Sequence, residues 1–246
     1  MSDEADGAPV APESGFLGRI VGLWFAPEEQ FPGIVARPTF WGPIAVLIAL
    51  NLAFTAVWLQ KVEPREFMQR QMEESGQWEK IPPDQRGDIL EQQSGFFPIM
   101  AWVGAVVGTP IMVALVAGIL LGIFKLVYAA EFGFGQSMGI TAWAFLPVAV
   151  ITTPLTMLVL WLKDDWAMNP SEALQANPSL LLDRNEVAQP LYVLAGSFDL
   201  FVLWGVFLLA VGYGIAAKRS TGSAFVGVAI PWLVFVAARV GLTAIF

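Results

Sequence analysis

The chain contains no cysteine and no histidine. Without cysteine there is no disulfide, no thiolate nucleophile and no thiolate metal site. Without histidine the commonest general base and metal ligand is missing. Ser-His triads, Cys-His dyads and HExxH zinc sites are excluded, and only serine–lysine, all-carboxylate and acyl-transfer chemistries stay open. No cofactor is implied. Charge is scarce as well, at 14% of 246 residues, where a soluble domain carries about 25%. The formal net charge of −8 sits in a tail and in loops, and no basic block reads as a nucleic-acid surface. What is abundant is hydrophobicity, at 56% of the residues, and that composition points to an all-α integral membrane protein.

No basic n-region of a cleavable signal precedes the apolar runs. Residues 1–14, MSDEADGAPVAPES, read as a disordered acidic tail. Residues 15–246 read as one membrane domain. Gly15 to Phe25 is apolar but too short to span. It is expected to lie in the interface plane, anchored by Trp24 and Phe25, with Pro27 opening a second short helix. Five spans follow, at about residues 39–60, 97–128, 137–162, 191–217 and 224–246. Residues 61–95 form a polar connection with two short helices, one of them over 83–93, and its eight carboxylates read as a solvated face. Five spans place the chain ends on opposite sides. Basic-residue counts do not fix the orientation: five basic residues flank the N-terminal side and seven lie in the two long loops.

Several polar or small residues interrupt the apolar spans. Asn51 is mid-span and suits a hydrogen bond to another helix, or a site lining. Pro147 and Pro154 should kink the third span, with Thr152, Thr153 and Thr156 near the freed carbonyls. Gly104, Gly108, Gly118 and Gly122 fall on one helical face, expected to pack within the chain, with dimerisation as the alternative. Asp199 and Arg239 fall at matching depth on the last two spans, about 12 Å and 10 Å from the same membrane edge. They can pair; alternatively Asp199 caps its helix and Arg239 snorkels.

Asp199, Phe201, Trp204, Leu208 and Gly212 form a DxFxxWxxxLxxxG run. Phe25-Ala26-Pro27-Glu28 with Phe31 forms an sPxexF-like opening, Pro83-Asp84-Gln85-Arg86 starts a charged helical loop, and Ala142-Trp143-Ala144-Phe145-Leu146-Pro147 forms an ayxxlP-like stretch. In order and spacing these resemble bacterial members of the Yip family, the Ypt/Rab-interacting membrane proteins, over residues 15–246. The resemblance implies a five-span domain with a cytosolic N-terminus, in the inner membrane for a bacterial chain. Eukaryotic members bind small GTPases and shape membranes. The Asp-Leu-Tyr-Gly-Pro run tied to that role, with the glycine-tyrosine pair that follows it, is not recognisable here, so GTPase binding is not carried over. The expected function is a non-enzymatic scaffold or organiser of the membrane. Its expected partners are lipids and other membrane proteins or a second copy, not nucleic acid. A small transporter or channel using the intramembrane polar groups is the alternative.

Overall fold

Proline and glycine set most of the helix boundaries. A computed structural model describes residues 15–184 and 186–245, and the acidic tail expected over 1–14 lies outside them. Helix α1 (Phe16–Phe25) breaks at Ala26 because Pro27 opens α2 (Pro27–Ala36) and pushes the residue before it out of helical geometry. Pro38 ends α2 in the same way, leaving Arg37 at φ −129°. The first span, α3 (Trp41–Leu59), has 19 residues, about 28 Å at 1.5 Å per residue. Next come α4 (Pro64–Glu74) and α5 (Gln77–Lys80), separated by Gly76 in the left-handed region at φ 68°.

Helix α6 (Arg86–Val103), a π turn (Gly104–Gly108) and α7 (Thr109–Tyr128) form one column of 43 residues. It is about 64 Å long, twice a hydrocarbon core. The short helix expected over 83–93 is therefore not separate from the second span but is its extramembrane start. Gly95 weakens helix by only about 1 kcal/mol, too little to interrupt a column with helix-forming residues on its N-terminal side. The π turn falls just before Pro110, which has no N–H for the Val106 carbonyl, and takes up that mismatch. After a short connection, α8 (Phe134–Lys163) runs for 30 residues through Pro147 and Pro154. Helix α9 (Pro170–Ala173) and a 3₁₀ turn (Pro178–Leu181) lie in the next loop. The expected fourth span is two helices, α10 (Gln189–Ser197) and α11 (Leu200–Ala216), bent by 49° at Phe198 and Asp199. Helix α12 (Thr221–Ile245) follows. Among the described residues four helical columns are long and apolar enough to cross a bilayer, and the bent pair, taken as one span, makes a fifth. The chain is an all-helical multi-pass membrane protein with a short apolar N-terminal helix.

The first half of α8 is the axis of the bundle. Ile140, Ala142, Ala144 and Leu146 are fully buried there, and α2, α3, α7 and α11 surround it. At the opposite end the two long loops meet. Arg70 Nη1 donates to both oxygens of Asp165 at 2.7 and 2.8 Å, and Asn169 Nδ2 donates to Gln71 Oε1 at 3.1 Å. Hydrogen bonding to Asp165 raises the Arg70 pKa above its ordinary value, against the opposing effect of burial. Trp58 Nε1 donates to the Trp166 carbonyl at 3.1 Å, over a small cluster of Trp58, Val62, Phe67, Leu160 and Ala173. These contacts place both loops on one side of the bundle, as two crossings between them require.

Candidate functional site

Residues from three of the four family-like stretches meet at α11; the fourth, Pro83 to Arg86, lies in the loop before α6. Phe31 is fully buried and lies over Gly212. A methyl group added at Gly212 would stand 2.5 Å from Ile140 Cγ2 and 2.8 Å from Phe31 Cε1, so only glycine fits the approach of α2 and α8 to α11. Eight residues earlier on α11, the Trp204 ring stacks on Trp24 with centroids 5.4 Å apart and planes 9° from parallel. Trp24 Nε1 in turn donates to the Pro147 carbonyl at 3.2 Å. Leu208, between these levels, is fully buried, and Pro27 is buried beside them. Phe201 is half-buried one turn below Trp204.

This geometry shows what the N-terminal segment packs against. Helix α2 follows α11 along its axis, with Phe31 at Gly212 and the α1–α2 junction at Trp204. The hairpin packs against the bundle through α8 and α11. Its inner face, Leu23, Phe31 and Ile34, belongs to the core, while Leu17, Val21 and Phe25 are exposed on the outer face. Both faces being apolar suits lipid contact. Arg19 sits 5.1 Å from the Trp143 ring centroid, and Trp143 Nε1 donates to the Thr39 carbonyl at 2.9 Å.

Asp199 is engaged otherwise than by Arg239. Its Oδ1 accepts from the Phe201 N–H at 2.9 Å, which caps α11. Its Oδ2 accepts from the Ala176 N–H at 2.8 Å and from Asn177 Nδ2 at 3.2 Å, while the Leu200 N–H donates to the Ala176 carbonyl at 3.0 Å. Asp199 thus fastens the loop before α10 to the head of α11. Arg239 is exposed, and no ion pair joins it to Asp199 among the described residues. Helix-end geometry, with two free N–H groups beside the loop, supplies the carboxylate with donors at closer range than a guanidinium on α12.

The glycine face is likewise not used within the chain. No described atom comes within 4 Å of a methyl placed at Gly104, Gly108, Gly118 or Gly122. The first two lie inside the π turn, which disturbs the regular turn count on which a common face depends. Close approach occurs instead at Gly212 and at Gly227, where an added methyl would stand 2.9 Å from the Tyr128 ring. Asn51 Nδ2 donates to Thr109 Oγ1 at 2.8 Å, joining the first span to the second. Thr152 Oγ1 donates to the Val148 carbonyl at 3.0 Å between the two prolines of α8.

One polar cluster had no forerunner in the sequence reading. Tyr213 OH meets Ser137 Oγ and, at 3.0 Å, Thr141 Oγ1, and Ser137 Oγ is 2.6 Å from the Ala117 carbonyl. All three side chains are fully buried. Ser137 and Thr141, one turn apart in an apolar span, were the available signal. Among the described residues no group of three or more acidic side chains could hold a metal. Asp199, Asn51 and the hydroxyls of Ser137, Thr141, Thr152 and Tyr213 are all bonded within the chain.

Among curated proteins and among solved structures, none matches the chain. A family model described as the Yip1 domain matches residues 21–242, which include α2, Gly212 and everything that packs between them. The chain therefore belongs to the Yip1-domain family.

Proposed function

We propose that this Yip1-domain protein is non-enzymatic and organises the membrane, serving as a scaffold for lipids and other membrane proteins. One observation carries the reading: the α1–α2 hairpin adds two helices to one end of the bundle only, with apolar side chains facing outward. Extra apolar volume at one end is what a protein that shapes or recruits to a curved leaflet needs. The glycine face of α7, unpacked within the chain, is where a partner helix or a second copy would approach. A transport path needs free polar groups in mid-bilayer; Asn51 and Asp199 are each bonded internally, which favours the scaffold over the transporter. The family resemblance supports a cytosolic N-terminus, and for a bacterial chain the inner membrane. The test is extraction in native nanodiscs followed by identification of co-purifying proteins and lipids. Recovery of defined partners is expected. A stable monomer holding neither partners nor selected lipids would overturn the reading.

A further inference from the structure

The 3₁₀ turn between α9 and α10 presents Leu180 and Leu181 outward, 63% and 87% exposed. Its polar groups are turned inward and bonded. Asn177 Oδ1 accepts from both the N–H and the hydroxyl of Ser179, which is itself buried. Asn177 Nδ2 and the Ala176 N–H donate to Asp199, and the Ala176 carbonyl accepts from the Leu200 N–H. The Leu180 and Leu182 N–H groups donate to the Asn177 and Ser179 carbonyls at 3.2 and 3.0 Å. The N–H groups of Ala176, Ser179, Leu180 and Leu182 are thus satisfied, and Pro178 has none. Internal satisfaction of this kind is what irregular backbone needs at membrane depth. In water the same turn would hold two leucines away from any apolar surroundings.

The depth of the turn follows from the helices beside it. Lys61 after α3 and Lys163 at the end of α8, with Trp58, Trp161 and Trp166 at the same level, mark the edge of the hydrocarbon on this side. A methyl placed at Gly205 would stand 3.9 Å from Val148 Cγ2, and Val148 lies about 22 Å inside Lys163. Asp199 is about 9 Å nearer that edge on the antiparallel α11, which leaves it about 13 Å inside. Asn177 is bonded to Asp199, and Ser179 Oγ lies 3.7 Å from a methyl placed at Gly196, one turn closer to the edge. Leu180 and Leu181 are then about 6–10 Å inside the edge. The chain enters and leaves this depth at the edge itself. Ala173 packs with Leu160 and Trp58, and Arg184 Nη1 stands 3.3 Å from Glu172 Oε2 and 3.8 Å from Glu74 Oε2, which closes the neck of the loop.

We propose that residues 173–183 form a re-entrant loop whose 3₁₀ turn inserts Leu180 and Leu181 among the acyl chains of the leaflet on that side. The turn packs on α10, where Leu191, Leu194 and Phe198 are also exposed. Its leucines therefore extend a face that a crossing helix already turns to lipid, and lipid is what covers them. Asp199 and Asn177 hold the bottom of the loop, and Arg184 with Glu172 and Glu74 holds its mouth at the polar boundary. The inference rests on the crossing of α8 and of the α10–α11 pair, not on the scaffold reading.

Because the chain has no cysteine, one probe can be placed on the full chain at L181C, with L180C as a second position. Both side chains are exposed, so their replacement leaves the packing intact. The references are L194C on the lipid face of α10 and S171C, exposed on α9 outside the neck. Each variant is labelled with a nitrobenzoxadiazole fluorophore and placed in phosphatidylcholine nanodiscs with or without a 5-doxyl acyl chain. Doxyl quenching at L180C and L181C should match that at L194C and exceed that at S171C by about threefold or more. Aqueous iodide should quench in the reverse order. Doxyl quenching at L181C no stronger than at S171C, or iodide quenching equal at the two, would overturn the proposal.

Discussion

Replacing Gly212 with alanine tests the packing at the centre of the family-like stretches. In an isolated helix the change would stabilise by about 1 kcal/mol, because glycine has the poorer propensity. Here the new methyl would stand 2.5 Å from Ile140 Cγ2 and 2.8 and 2.9 Å from two carbons of the Phe31 ring. Ile140 and Phe31 are both fully buried, so neither can swing away into open space. Overpacking of this kind costs about 1–3 kcal/mol and displaces backbone. The part that can yield is the α1–α2 hairpin, which meets α11 through Phe31 of α2 and the stack of α1 Trp24 on Trp204. Gly212→Ala should therefore destabilise the fold by up to about 2 kcal/mol net of propensity, and should weaken the near-ultraviolet circular dichroism of the stacked indoles. Gly118→Ala, where nothing lies within 4 Å of the new methyl, should be neutral or stabilising by up to about 1 kcal/mol. Reversible unfolding in mixed micelles measures both. In a Phe31→Ala background one of the two clashes disappears, and the cost of Gly212→Ala should fall by about 1 kcal/mol. Equal tolerance of Gly212→Ala and Gly118→Ala, or strict additivity with Phe31→Ala, would refute the argument.

Asp199→Ala leaves the Phe201 and Ala176 N–H groups without their acceptor and should cost about 1–3 kcal/mol. The loss should be the same in an Arg239→Leu background, with a coupling below about 0.5 kcal/mol in the unfolding cycle; a larger coupling would restore the ion pair. Tyr213→Phe removes the hydroxyl shared by Ser137 and Thr141 and should cost about 1–3 kcal/mol in the same measurement. Because the chain has no cysteine, R70C/D165C introduces a single pair of thiols, and a flexible bis-maleimide able to span the length of the removed arginine side chain should join them within one chain. Failure to cross-link, read on a gel after cleavage between the loops, would separate the two loops. In the same pair of loops, Arg70→Ala and Asp165→Ala should show a coupling of only about 0.2–1 kcal/mol, since both side chains are about one-third exposed.

Much of the fold was legible in the chain itself. A 19-residue apolar run with Trp41 and Trp58 at its ends can hardly be anything but a span, and the proline and glycine positions mark where helices stop. Asn51 read as a bond between helices and is one. The site was legible only in outline. The motif residues Pro27, Phe31, Pro147, Trp204 and Gly212 could be picked out, but not that α2 and α8 close on α11 at one level. The glycine pairs of the π turn and α7 have the spacing of a packing motif, and no neighbouring element comes within 4 Å of a methyl placed at any of them. Gly212 has no such spacing and is the tightest approach among the described residues.

Sequence by itself determined the solvent, the all-helical class, the approximate crossing segments and the exclusion of histidine and cysteine chemistry. These follow from backbone hydrogen bonding in hydrocarbon and from side-chain inventory, and both are local properties. Tertiary structure alone decided that the N-terminal hairpin packs on α8 and α11, that Asp199 fastens a loop instead of pairing with Arg239, and that the α7 glycines face outward. In a bilayer the lipid-facing and the core-facing sides of a helix are both apolar, so hydropathy carries no sign for inside. What each face meets is then fixed by shape: by a ring that needs a glycine beneath it, and by a carboxylate that finds backbone N–H groups nearer than a cation.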